Sequence, residues 1–200
     1  MVSHMIHNIF PTPLFIKHLN LNTKEMASYC LSMQKKDPKG RIHSNKGGWQ
    51  SYDLDGAHQP LNKLLNDIEH YTNKFCDDIG LISNLKIKNA WVNINGYRDM
   101  NDTHNHPGSI ISGVYYVKTP KHGGDIVFYH PNYDTFGFAW SDKQVKEDKH
   151  KIKYTLHNSA RWFVPAEDDK LMLFPSWINH SVEPNKNKKE KRISISFNLS

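Results

Sequence analysis

The sequence predicts a mainly β fold, a jelly roll buttressed by two N-terminal helices. Three observations carry this reading. Apolar residues recur with a helical period only before about position 80, they recur with a period of two from 85 onward, and the later runs are short and punctuated by Gly and Pro. The change of period divides the chain into a helical part over about 20–80 and a β part over about 85–200. No internal repeat, low-complexity tract or Pro/Ser-rich linker separates them, so one domain over 1–200 is expected.

The first helix is expected over 23–36, where Met26, Cys30 and Met33 share one stripe behind Thr23 as the cap. The second is expected over 60–79, with Leu61, Leu64, Leu65, Ile68, Tyr71, Phe75 and Ile79 on its apolar face. Pro60 opens it and Gly80 closes it. Strand-like runs occupy 85–95, 109–118, 124–129, 151–157, 161–165, 170–174 and 192–199. In the last of these Ile193, Ile195, Phe197 and Leu199 alternate with Arg192, Ser194, Ser196 and Asn198, which gives one core face and one polar face. Val92 and Ile94 are opposed to Asn93 and Asn95 in the same way. In a jelly roll such a polar face can point inward to a ligand.

Composition narrows the function classes. A chain of 200 residues with 38% apolar content can bury roughly 70% of the surface it exposes when unfolded. Cys30 and Cys76 stand in no metal-type spacing, so neither a disulfide framework nor a zinc ribbon is expected; they read as buried helical thiols of a cytoplasmic protein. No apolar run approaches the roughly 18 residues of a membrane span, so no membrane partner is expected. The net charge of +6 comes largely from 143–153 and 186–192. Neither stretch is interleaved with aromatics, so solvated loops are favoured over a nucleic-acid footprint, and a small anionic substrate or cosubstrate suits the charge equally well. G-x-S-x-G, P-loop and G-x-G-x-x-G motifs are absent from the sequence.

His104 and His106, at i and i+2 on an extended segment, project from one face and can share a metal ion. With 13 histidines in the chain, an H-x-H pair arises readily by chance, so the weight rests on the motifs C-terminal to it. Ser-Ile-Ile-Ser-Gly-Val-Tyr-Tyr-Val covers 109–117, Gly-Gly-Asp-Ile-Val-Phe covers 123–128, Leu-Phe-Pro-Ser-Trp-Ile-Asn-His covers 173–180, and Arg-Ile-Ser covers 192–194. This order resembles the 2-oxoglutarate and iron(II) dependent dioxygenases: H-x-D/E, a β stretch with a Gly-Gly turn, a distal histidine, then a basic residue for the cosubstrate's far carboxylate. Within them the chain resembles a group of oxygenases from phages and bacteria. That group is marked by an FPTPLF-like start, H-x-H-P-x-S-x-x-SG-x-YY, LFPSW-x-x-H-x-V-x-PN and R-I-S-x-S-F-N, here 10–15, 104–116, 173–185 and 192–198. The likeness runs over nearly the whole chain and is weakest over 131–160.

The resemblance implies a cupin-like double-stranded β-helix, Fe(II) as the metal and 2-oxoglutarate as cosubstrate. It implies His104 and His180 as the two histidines of the metal triad, with His106 in the position usually held by a carboxylate. A neutral imidazole there leaves the iron site one unit more positive. An oxygen ligand from Asp102 or Asp125 is the alternative. The distal carboxylate falls to Arg192, whose planar fork suits it, with Ser194 on the same strand face; otherwise Arg192 is the solvated end of a basic run. Tyr116 is implied to contact the cosubstrate while Tyr115 faces away, and Asn93 and Asn95 either contact it or lie on the sheet surface. Trp91 and Trp177 wall the site or, more simply, pack in the core. Tyr133, Phe136, Phe138 and Trp140 mark 131–160 as the place for a lid or substrate wall.

The implied reaction is hydroxylation of an unidentified small-molecule or macromolecular substrate with release of succinate and CO2. Two other readings stay open: a cupin-like three-histidine metal protein that runs a cofactor-independent dioxygenation or an isomerisation, and a non-catalytic binding module of the same fold.

Overall fold

The computed structural model describes residues 5–54, 60–140, 145, 147–148 and 151–200. The chain begins with a short strand, β1 (Phe15–His18), then α1 (Thr23–Lys36), the two-residue strands β2 (Asn45–Lys46) and β3 (Trp49–Gln50), and α2 (Leu61–Asp78). It continues through β4 (Ile87–Asn95), β5 (Met100–His104), β6 (Ile111–Lys118), β7 (Ile126–Tyr129) and a short helix, α3 (Tyr133–Ala139). The remainder is β8 (Glu147–Asp148), β9 (Lys151–Ile152), β10 (Arg161–Val164), β11 (Lys170–Pro175), β12 (His180–Val182) and β13 (Arg192–Leu199).

Both early helices form where the period placed them. The cap of α1 is Asn22 rather than Thr23: its side chain accepts from the Glu25 N–H at 3.4 Å, so Thr23 is the first helical residue. Pro60 precedes α2, and beyond its end Gly80 adopts φ +76, a left-handed conformation that glycine tolerates.

Two antiparallel sheets make the body of the fold. The major sheet has the order β1-β11-β6-β13-β4-β3 and the minor sheet β10-β7-β12-β5-β2, while β8 and β9 form a separate two-stranded sheet. The two faces of the major sheet are chemically different. Outward, Ile193, Ile195, Phe197 and Leu199 join Val92, Ile94 and Tyr115 beneath Met26, Cys30, Leu64, Ile68 and Phe75 of the helices. Burial of each such large apolar side chain contributes about 1.5–3 kcal/mol. Inward, Ser194 stands between Asn93 and Tyr116 in register, and Arg192 and Ser196 share that face. A second apolar cluster, Val114, Ile126, Phe128, Val164, Met172 and Phe174, fills the remaining space between the sheets. The polar alternates of β4 and β13 therefore become the wall of an internal cavity.

The expected strand over 151–157 is a correction. Only Lys151–Ile152 is extended, paired with Glu147–Asp148, and Tyr154 and Leu156 are 48% and 73% exposed. Their alternation has no core to cover. Much of the basic run at 143–153 lies outside the described residues. The run at 186–192 ends inside the protein, because Arg192 is only 1% exposed. Cys30 and Cys76 are free and buried, and burial pushes the Cys30 thiol up to about 12. Among the described residues no helix is long and apolar enough to cross a membrane.

Candidate metal centre

Three imidazoles meet between the sheets. His104 ends β5 and His180 begins β12; they face each other as a cross-strand pair in the minor sheet, with ring centroids 4.4 Å apart. His106 lies two residues beyond β5, where its backbone N–H donates to the Ser176 carbonyl at 2.9 Å. Its ring centroid is 5.0 Å from that of His104 and 5.2 Å from that of His180. One ring nitrogen from each histidine lies within 4.8 Å of the others. Distant segments of the chain thus converge on one point because β12 pairs with β5.

Two of the rings have their tautomer fixed. His104 Nδ1 lies 2.6 Å from the Asp102 carbonyl oxygen, and His180 Nδ1 lies 3.1 Å from that of Ile178. A carbonyl only accepts, so each Nδ1 carries the proton and each Nε2 keeps a free lone pair, the form a metal needs. Burial, and repulsion from the neighbouring rings, holds His180 down at about 3 and His106 at about 4. Burial also lowers His104, against the opposing pull of the Asp102 carbonyl and carboxylate. At neutral pH all three are uncharged ligands that need release no proton on binding.

No carboxylate joins this cluster among the described residues. Asp102 pairs with Lys46 at 2.7 Å, and Asp125 accepts from the Ala166 N–H at 3.3 Å, so neither alternative oxygen ligand is gathered with the histidines.

The imidazoles form one wall of a small cavity between the two sheets. Trp91, Asn93, Tyr116, Arg192, Ser194 and Ser196 line it from the major sheet. Asn101, Ile126 and Val182 line it from the minor sheet, with Ser44 contributed by the preceding loop. Arg192 is held there by three main-chain oxygens: its Nη1 donates to Gly123, to Gly124 at 3.2 Å and to Glu183 at 3.1 Å. Its Nη2 is buried and has no protein partner. Burial lowers the Arg192 pKa, although Tyr116 and the carboxylates of Asp125, Asp99 and Glu183 oppose this. Burial likewise pushes the Tyr116 phenol up to about 12, so it is a neutral donor. A guanidinium with one anchored and one unused nitrogen, beside neutral hydroxyls, is a receptor for a carboxylate. The residues present therefore suit both an imidazole-bound divalent metal and a small carboxylate-bearing ligand.

Of the residues singled out in the sequence, His104, His106, His180, Arg192, Ser194, Tyr116 and Asn93 all line this cavity. Asn95 does not; it is buried at the end of β4 opposite Arg192, with its Oδ1 unpartnered. Tyr115 faces the other way, as alternation requires, and donates to Asp169 Oδ1 at 2.7 Å. Trp91 is a wall of the site rather than a core residue, whereas Trp177 is 56% exposed and lines nothing there. Sequence reasoning passed over Ser196, Asn101 and Ser44. Ser196 had a signal, since it continues the polar face of Arg192 and Ser194 and accepts from Asn93 Nδ2 at 3.0 Å.

Comparison with solved structures gives the fold a context. A prolyl-4-hydroxylase from Pseudomonas putida superposes with a TM-score of 0.66 at 11% identity, over 94% of this chain and 92% of that one. A viral collagen prolyl hydroxylase from Paramecium Bursaria Chlorella virus-1 gives 0.56 at 14% identity, over 94% and 96%. The non-heme alpha-ketoglutarate dependent carbocyclase SnoK of nogalamycin biosynthesis gives 0.66 at 10% identity, over 94% and 80%. At such identities the shared property is the fold, a double-stranded β-helix. Curated protein sequences yield no match. A family model described as "Putative 2OG-Fe(II) oxygenase" matches residues 89–198, more than half of the chain, and spans all three histidines and Arg192. On that match the chain belongs to the 2OG-Fe(II) oxygenase family, an enzyme family that works with non-haem Fe(II) and 2-oxoglutarate.

Proposed function

We propose that this protein is a dioxygenase that hydroxylates a substrate C–H bond while converting 2-oxoglutarate and O2 to succinate and CO2. The observation that carries the reading is that Arg192, whose Nη2 is buried without a protein partner, lines the same cavity as three neutral imidazoles. His104, His106 and His180 would hold Fe(II), which, with 2-oxoglutarate and O2 bound, supplies the oxidising power for C–H cleavage. Prolyl hydroxylases among the structural relatives support hydroxylation as the reaction type.

The chain's own contributions are positioning and charge. Arg192 would take the far carboxylate of 2-oxoglutarate through its free nitrogen, while its other nitrogen keeps the fork from rotating. Ser194 and Tyr116, adjacent across β13 and β6, would add hydroxyl donors, and Asn93 a further polar contact. Three neutral ligands leave the metal's full double charge for the cosubstrate dianion, one unit more than a carboxylate-containing triad would leave. Ile126, Phe174 and Val182 add apolar surface to the lining.

Anaerobic addition of 2-oxoglutarate to the Fe(II)-loaded protein tests this. A visible metal-to-ligand charge-transfer band is expected, and Arg192→Met should weaken it. The absence of a carboxylate from the cluster favours one second reading, a three-histidine dioxygenase that needs no cosubstrate. Tight Fe(II) binding with no response to 2-oxoglutarate would carry that alternative instead.

A further inference from the structure

The three imidazoles are not held alike. His104 and His180 each donate from Nδ1 to a carbonyl two residues upstream, whereas the His106 ring makes no hydrogen bond among the described residues. Metal-bound histidines almost always have such a partner, because it fixes both tautomer and ring direction. In its place His106 has an aromatic neighbour: the Trp91 ring lies 6.0 Å away between centroids, at 49°. Trp91 is in turn covered by the Arg41 guanidinium, 5.7 Å above its ring. Arg41 is tied down by Asp53 at 2.7 Å and by its backbone N–H to the Gln50 carbonyl at 2.9 Å. The result is a file of four side chains, Asp53, Arg41, Trp91 and His106, that ends at the metal cluster.

We propose that Trp91, backed by Arg41, is the positioning residue for His106, setting by ring contact the orientation that hydrogen bonds set for the other two imidazoles. This rests on the reading of the three histidines as metal ligands and deepens it. His106 sits in a loop beyond the end of β5, so its backbone gives it less direction than His180 receives within the sheet. Trp91 is well placed to supply the difference, because it occupies the inward face of β4, a strand paired without a break with β13 from Asn89 to Asn95. A cation over the indole restrains that ring without competing for the imidazole. Neither His106 ring nitrogen has a hydrogen-bond partner among the described residues, so the contact with Trp91 is what directs this imidazole toward the ion.

Anaerobic Fe(II) titration and, as a spectroscopic probe, Co(II) absorption on the full chain test this. Trp91→Leu is expected to weaken metal binding by about 10-fold, within the range seen when an outer partner of a ligating histidine is lost, and to shift the Co(II) ligand-field bands. Trp91→Phe, which keeps an aromatic face, should recover most of the affinity, and Trp177→Leu should behave as the unsubstituted protein. In a His106→Gln background Trp91→Leu should cost nothing further. The proposal is overturned if Trp91→Leu binds metal normally, if Phe fails to rescue, or if the loss persists undiminished without His106. An unsubstituted protein that binds neither ion overturns the metal reading itself, and this inference with it.

Discussion

Arg192 and Gly124 are in contact twice over. The Arg192 Nη1 donates to the Gly124 carbonyl, and a Cβ placed on Gly124 would lie 2.8 Å from that same nitrogen. Gly124 also has φ +89, and the added carbon would meet the Glu183 carbonyl at 2.3 Å. The Gly-Gly turn is thus part of the guanidinium's cradle.

Gly124→Ala should therefore act at a distance from any ligand. Strain at a left-handed position costs of order 1–3 kcal/mol, and relief of the clash displaces Arg192. Denaturant unfolding should show the loss of stability, and titration of the Fe(II)-loaded variant should show weaker 2-oxoglutarate binding with Fe(II) affinity intact. Unchanged 2-oxoglutarate affinity would separate the turn from the site.

Arg192→Lys keeps a positive charge and loses the fork. One ammonium cannot serve three carbonyls and a ligand carboxylate together, so 2-oxoglutarate affinity should fall by at least about 10-fold, which is about 1.4 kcal/mol. Arg192→Met should fall further and also lower stability by about 1–3 kcal/mol, because the oxygens of Gly123, Gly124 and Glu183 lose their donor. Calorimetric titration beside thermal melts distinguishes the two effects.

Metal should stabilise the fold by mass action. An ion at 100 times its dissociation constant adds about 2.7 kcal/mol, so Fe(II) or Co(II) should raise the melting temperature and a chelator should reverse the rise. His180→Ala should abolish the effect, since it removes the ligand that β12 contributes. A melting curve that ignores the metal in the unsubstituted protein would contradict the centre.

Acid should weaken the metal-free protein through the same residues. His180 and His106 are held down at about 3 and about 4, below their ordinary 6.5. Above pH 6.5 the rings are neutral in both folded and unfolded chains, and no stability is lost. Below it the unfolded chain binds protons that the folded chain refuses until about 4 and 3, so stability declines through that window. Urea midpoints at pH 7.5 and 4.5 should show the decline, and His180→Gln should flatten it. Equal slopes in the two proteins would refute the assignment.

Much of the fold and of the site was legible in the amino-acid sequence. The helices showed their periods, β13 showed its two faces, and the alternation that sends Tyr115 to Asp169 sends Tyr116 to the cavity. What escaped was short or polar. β5 is Met-Asn-Asp-Thr-His, with no apolar alternation to betray a strand, and β12 has three residues. β2 and β3 have two residues each and exist only through their partners. The run 151–157 erred the other way: its pattern is strand-like, but among the described residues it joins neither main sheet and only Lys151–Ile152 pairs, with Glu147–Asp148. Trp91 stays open between cavity wall and core in the sequence, although its i, i+2 spacing to Asn93 already places the two on one face of β4. The cross-strand meeting of His104 with His180 is a matter of register, which no local pattern encodes.

That register has a consequence for assembly. β12 is pinned by β5 on one side and β7 on the other, with an irregularity between His180 and Val182. Sliding it by a single position would turn the histidine outward and present Ser181 in its place. On the proposed ligand set, iron would be captured by molecules in which the three-residue β12 has already seated in register. Metal content would then report how many chains in a preparation have β12 properly threaded.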